Sequence, residues 1–175
     1  RWDRIRELLG RKDLPLELFW QYLLQAELEL GTGDAAKAAH LWNRARSLSD
    51  GSREQLWLLL RPGDRIGGDD RTTNRMMGDL VLSGESVDAV RSYLLDRLAR
   101  DGNFDRFLES LRTLKVRFGE QAEWVNDWAY FSIVMGRDGE EALAEVNRII
   151  EKEPSKLAYH MTWAMAMVIR GEPRE

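Results

Sequence analysis

Apolar residues recur at intervals of three and four along almost the whole chain, the spacing that puts them on one face of a helix. Trp2, Ile5, Leu8 and Leu9 predict a short helix over residues 2–9, ended by Gly10. Asp13 and Pro15 then mark the start of a second helix whose apolar positions over residues 16–30 cover most of its circumference, until Gly31 stops it. Gly31-Thr32-Gly33-Asp34 predicts a tight turn, with Asp34 as the N-cap of a helix running to about Asp50-Gly51, so these two helices form an antiparallel hairpin. Ser52 caps a short apolar helix over residues 52–60 that runs out at Pro62-Gly63. Residues 61–71, rich in Gly, Pro and Asp, predict an exposed loop. Helix resumes over residues 72–82, stops at Gly84, and restarts at Ser86 to reach Gly102. Phe104, Phe107, Leu108, Leu111 and Leu114 mark the inner face of the next helix, closed by Gly119; residues 120–135, 139–153 and 156–170 complete the set. No stretch alternates strictly between apolar and polar, so the expected fold class is all-α, and the βαβ folds that house most nucleotide cofactors are excluded.

The C-terminal part nearly repeats itself. Trp128-Ala129 followed by Gly136 recurs as Trp163-Ala164 followed by Gly171, an offset of 163 − 128 = 35, and Gly102 precedes Gly136 by 34 residues. A fixed period of this size is the mark of a stacked-repeat architecture. Several segments carry the matching residues: Trp20-x2-Leu23 with Ala38-x3-Trp42-x2-Ala45, Val125-x2-Trp128-Ala129 with Ala142-x3-Val146 and a closing Pro154, and His160-x2-Trp163-Ala164-x2-Met167. On these residues the chain resembles the tetratricopeptide repeat (TPR), a 34-residue helix-turn-helix unit. The middle departs from the pattern: Leu94-Leu95 and Phe107 stand where a small residue is preferred, and residues 50–85 fit only by alternation. The resemblance implies a right-handed superhelical stack of antiparallel helix hairpins, a TPR-like α-solenoid, as a single domain over residues 1–175 with about four and a half hairpins. Ala38, Ala129, Ala142 and Ala164 are then close-approach positions between helices, and Trp20, Trp42, Trp128 and Trp163 are core.

Charge and chemistry narrow the function further. Twenty-six Lys and Arg against 30 Asp and Glu leave a net charge of −4, which argues against nucleic acid and against the pentatricopeptide repeats that share a 35-residue period and read RNA. The absence of cysteine excludes disulfides and thiolate chemistry and leaves the redox compartment open, with the cytoplasm favoured. The longest nearly apolar run, residues 157–169, is short of the ~20 residues needed to span a bilayer. His40 and His160 lie far apart with no second ligand at helical spacing, and Gly31-x-Gly33 follows a helix, so neither a metal site nor a dinucleotide fingerprint is expected. Gly67-Gly68-Asp69-Asp70 is similar to part of the diguanylate cyclase signature but has no flanking strands, and Asp64, Asp69 and Asp70 lack calcium-loop spacing. No enzyme, metal or cofactor is expected within these residues.

In the family resembled, inner helices line a concave groove. Fixing each inner helix by its terminal glycine places Gln21 and Gln25, Ser92 and Asp96, Asn126 and Tyr130, and Met161 and Met165 on that groove. The basic clamp of chaperone-binding members needs Lys or Arg paired with Asn, and only Asn126 has the right type. The groove is instead mixed polar and neutral, suited to hydrogen-bonding a peptide backbone, with two methionines adapting to apolar side chains. The expected function is a protein-protein interaction scaffold for a peptide or protein partner; the alternative is a structural, regulatory or oligomerisation segment of a larger protein. Residues 157–170 are apolar nearly all round and are expected to self-associate or to leave an exposed apolar patch. Pro173, placed to open a further helix, suggests that the array continues.

Overall fold

The computed structural model describes residues 2–11, 16–66 and 69–171. Among the described residues the chain is all-helical, with ten α-helices and no strand: α1 (Trp2–Gly10), α2 (Leu18–Thr32), α3 (Ala35–Leu48), α4 (Arg53–Arg65), α5 (Asp70–Leu82), α6 (Val87–Asp101), α7 (Phe104–Arg117), α8 (Ala122–Val134), α9 (Gly139–Lys152) and α10 (Leu157–Arg170). They group into two compact units, Arg1–Ser86 and Val87–Glu175. The helix start expected from Asp13 and Pro15 lies outside the described residues, as do Gly67-Gly68 and Pro173.

In the first unit α2 and α3 form the closest helix pair, joined by a turn in which Gly33 takes a left-handed conformation (φ 97°). Asp34 caps α3 as its sequence predicts, its carboxylate accepting from the Lys37 backbone N–H at 2.9 Å. Ser52 caps α4 in the same way, accepting from the Gln55 N–H at 3.4 Å. Gly31, however, does not end α2. It is the penultimate residue of α2, and the Trp2 ring lies against it so closely that a Cβ there would come within 2.3 Å of the indole.

The larger correction concerns residues 61–71. α4 continues through Pro62 and Gly63 to Arg65, and α5 already begins at Asp70. Pro62 and Gly63 are buried, not exposed. A proline inside a helix lacks the N–H that would bond the carbonyl four residues back, which for Pro62 is that of Leu58. The next carbonyl, that of Leu59, accepts from the Nε1 of the buried Trp42 indole of α3 at 2.8 Å, and the missing Cβ of Gly63 leaves room for the ring. What reads locally as a helix stop is a seat for tryptophan. Asp69, a candidate cation ligand by sequence, accepts from the Arg71 N–H as the N-cap of α5.

In the second unit α8 and α9 form a hairpin, with α7 packed against α8 and α10 against both members of the hairpin. Its core is built around Trp124 and Trp128, both fully buried, with Ala129 of α8 and Ala142, Val146 and Ile149 of α9 buried beside them. Small residues at Ala129 and Ala142 let the helix axes approach, with the tryptophans filling the volume beside them. The Lys115 ammonium of α7 lies 3.5 Å from the centre of a Trp128 ring and 2.7 Å from Glu141 of α9, so its charge is neutralised at the edge of the core. Gly102, Gly136 and Gly171, the three glycines of the sequence period, all adopt positive φ (61°, 66° and 71°) at the ends of α6, α8 and α10. Ala164 departs from its expected packing role and is exposed, and Trp20 and Trp163, expected in the core, are only half-buried.

Candidate surface on alternate helices

Three alternate helices of the second unit, α6, α8 and α10, are linked side by side by polar contacts. Arg91 Nε of α6 donates to Asp127 Oδ2 of α8 at 2.6 Å, and the Thr162 hydroxyl of α10 donates to Asn126 Oδ1 of α8 at 2.9 Å. Both contacts join residues 36 apart. They are successive rungs of one ladder, since Arg91, Asn126 and Met161 are spaced by 35, as are Asp127 and Thr162. Asp127 is largely buried, and burial pushes its carboxyl above the usual carboxylate range although the Arg91 hydrogen bond and charge pull the other way.

Burial fixes the register between these helices. Val90, Tyr93, Leu94 and Arg97 form the buried face of α6, and each has a buried counterpart 35 residues later in α8: Val125, Trp128, Ala129 and Ser132. A register taken from the glycines would put α6 one residue off, because nine residues separate Tyr93 from Gly102 whereas eight separate Trp128 from Gly136. On a helix one residue is a rotation of about 100°. The counterparts of Asn126 and Tyr130 on α6 are therefore Arg91 and Leu95, while Ser92 and Asp96, the pair expected from the glycine register, are both exposed alongside them.

With that register a single row stands out. Leu95, Tyr130 and Met165 occupy the same position on α6, α8 and α10 and are 40%, 36% and 37% exposed. Val134 and Ile169 lie one turn further along α8 and α10 and are also exposed, with the small, exposed Ala99 as their counterpart on α6. The row runs from α6 across α8 to α10, of which α8 and α10 are packed directly together. It grades from the α6 end, where Ser92 and Asp96 stand beside Leu95 and Ala99 adds little apolar area, to a larger apolar surface at the α10 end. Leu95, Val134 and Ile169 were missed by sequence reasoning; the matching burial of Tyr93 and Trp128 brings in Leu95, and Val134 and Ile169 lie one turn beyond Tyr130 and Met165.

The remaining predicted residues are distributed differently. Gln21 and Gln25 belong to α2 in the first unit, where both are half-buried and Gln21 donates to the Leu16 carbonyl at 2.7 Å, closing the start of its own helix. Asn126 is half-buried and engaged by Thr162, and Met161, its counterpart on α10, is exposed. His40 and His160 are exposed, the latter with its Nε2 2.8 Å from the Pro154 carbonyl. Among the described residues no group of three or more His, Cys, Asp or Glu side chains is arranged to hold a metal ion, and no helix is long and apolar enough to cross a membrane.

Comparison with protein-family models, curated proteins and solved structures returned no match. The class defined by the fold is an all-α chain with repeated helical pairs, and a fold of this kind does not by itself fix a function.

Proposed function

We propose that the chain is a TPR-like helical-repeat module whose hairpins stack as a right-handed solenoid, and that it serves as a protein-interaction scaffold without chemistry of its own. The observation that carries this proposal is the Leu95–Tyr130–Met165 row: one apolar or aromatic residue per repeat, equally exposed, on helices tied together by the Arg91–Asp127 and Asn126–Thr162 rungs. Such a row fits a peptide laid across the helices. Its apolar end, formed by Tyr130, Val134, Met165 and Ile169, suits apolar side chains, and methionine adapts to varied shapes. The α6 end, with Ser92 and Asp96 beside the small Ala99, suits polar ones. The preferred ligand is therefore an amphipathic segment, apolar where it crosses α8 and α10.

A random peptide display library selected on the intact chain tests this. Enriched peptides should lose about tenfold or more in affinity on Tyr130→Ala and on Met165→Ala, the loss of about 1.4 kcal/mol or more expected for removing a central anchor. His40→Ala, at an exposed site in the other unit, should leave affinity unchanged. Far-ultraviolet circular dichroism should be the same for all. Peptides that bind every variant equally, or no enrichment at all, would overturn the proposal.

A further inference from the structure

The 35-residue register also shows which face of α10 corresponds to the face of α8 that receives a neighbour. On α8 that face holds Ala122, which clusters with Tyr159 of α10, Asn126, which accepts from Thr162, the buried Ala129, and Ile133, which lines a small cleft with Ala166. The α10 counterparts are Leu157, Met161, Ala164 and Val168. All four are exposed, the three larger ones at 71%, 64% and 65%. Their spacing of four, three and four residues is that of a two-helix seam.

Three features select the occupant. The first is charge: between Lys156 and Arg170, α10 has no Lys, Arg, Asp or Glu, whereas interface cores are depleted in charge. The second is the polar ladder, which stops here. Where Arg91 and Asn126 offer a polar group to the next helix, Met161 offers a thioether, so nothing on α10 selects a helix bearing Asp or Thr at that position. The third is self-complementarity. If two copies of α10 are laid antiparallel about an axis midway between Met161 and Ala164, each residue faces the one for which the two numbers sum to 325. Leu157 then meets Val168 of the second copy, and Met161 meets Ala164, so at every contact a longer side chain faces a shorter one. The flanking charges are already matched within each copy, Lys156 with Glu153 and Arg170 with Glu140.

We infer that this stripe is a self-association surface through which two copies of the chain pair, α10 against α10, as an antiparallel two-fold dimer. It does not include the Leu95–Tyr130–Met165 row, and so stands independently of the proposed peptide binding. A 14-residue helix is about 21 Å long. One such stripe falls short of the ~800 Å2 per partner of a standard stable interface. The dimer is accordingly concentration-dependent, not obligate.

Sedimentation velocity across a wide concentration range should show a reversible monomer–dimer equilibrium. Met161→Asp should raise the dissociation constant about a hundredfold or more, by placing two unpaired carboxylates at the axis, with no change in the melting profile of the monomer because Met161 is exposed there. The chain has no cysteine, so introduced thiols report the register directly. A mixture of Met161→Cys and Ala164→Cys chains should form the mixed disulfide faster than Leu157→Cys chains cross-link to one another. A monomer at the highest concentration reached, a dimer unaffected by Met161→Asp, or cross-linking at Leu157→Cys as fast as in the mixture would overturn the inference.

Discussion

Gly63→Ala isolates the feature that local sequence most misstates. In an exposed helix interior that substitution stabilises by about 1 kcal/mol, because glycine is the poorer helix former. Gly63 sits in α4, but its Cβ would stand 2.8 Å from Cζ2 of Trp42, closer than carbon atoms approach. The ring has little room to retreat, being 3% exposed and held by its Nε1 bond to Leu59 at 2.8 Å. Overpacking of this kind costs about 1–3 kcal/mol, and a buried indole N–H that loses its acceptor costs about 1–3 kcal/mol more. Set against the propensity gain, the net expectation is a loss of about 3 kcal/mol. Urea denaturation followed by circular dichroism measures it, with Gly10→Ala as the control, since a Cβ at Gly10 meets nothing within 4 Å. A Gly63→Ala chain as stable as the parent, or more so, would refute the packing argument. The same geometry reverses the tolerance expected of a loop: deleting residues 61–65 should unfold the first unit, because Pro62 and Gly63 are buried against its core.

Three further outcomes follow from the described contacts. Glu85 accepts from Trp57 Nε1 at 2.6 Å and from the Ser86 N–H at 3.0 Å, and these bonds hold its carboxyl below the ordinary value of 4.5. A depressed carboxyl contributes stability that is present above the unfolded-state pKa and is lost as pH falls through the folded-state one, so Glu85→Gln should flatten the acid limb of the stability profile below pH 4.5. The Trp57 indole N–H resonance should titrate over the same interval in the parent chain, and an unchanged acid limb would count against the bond. Thr162→Val should cost about 0.5–1.5 kcal/mol, the worth of a neutral, partly buried hydrogen bond, and a double-mutant cycle with Asn126→Ala should show that most of it is coupling between the two side chains. Lys115→Met should leave Glu141 half-exposed and solvated, moving its depressed carboxyl pKa upward in a measurement by nuclear magnetic resonance.

Much of this chain can be read from sequence because helix periodicity is local. The 3.6-residue spacing of apolar groups, the caps at Asp34 and Ser52, and the glycines that take positive φ at 102, 136 and 171 depend on neighbours within a turn or two, so the all-α class and most helix bounds follow from short windows. Tertiary packing decided what such windows misjudge. Pro62-Gly63 is a breaker by its own chemistry, yet the helix passes through it and is buried against Trp42, 20 residues away in sequence, whose ring fills the space of the absent side chain and donates to the Leu59 carbonyl. Gly31 likewise leaves room for Trp2, a contact that no local window shows. The candidate surface divides along the same line: the period announced that Tyr130 and Met165 are equivalent, but it took the burial of Tyr93 against that of Trp128 to bring Leu95 into the row, since a one-residue difference in helix length turns a side chain by about 100° and only packing against neighbouring helices shows which way it faces.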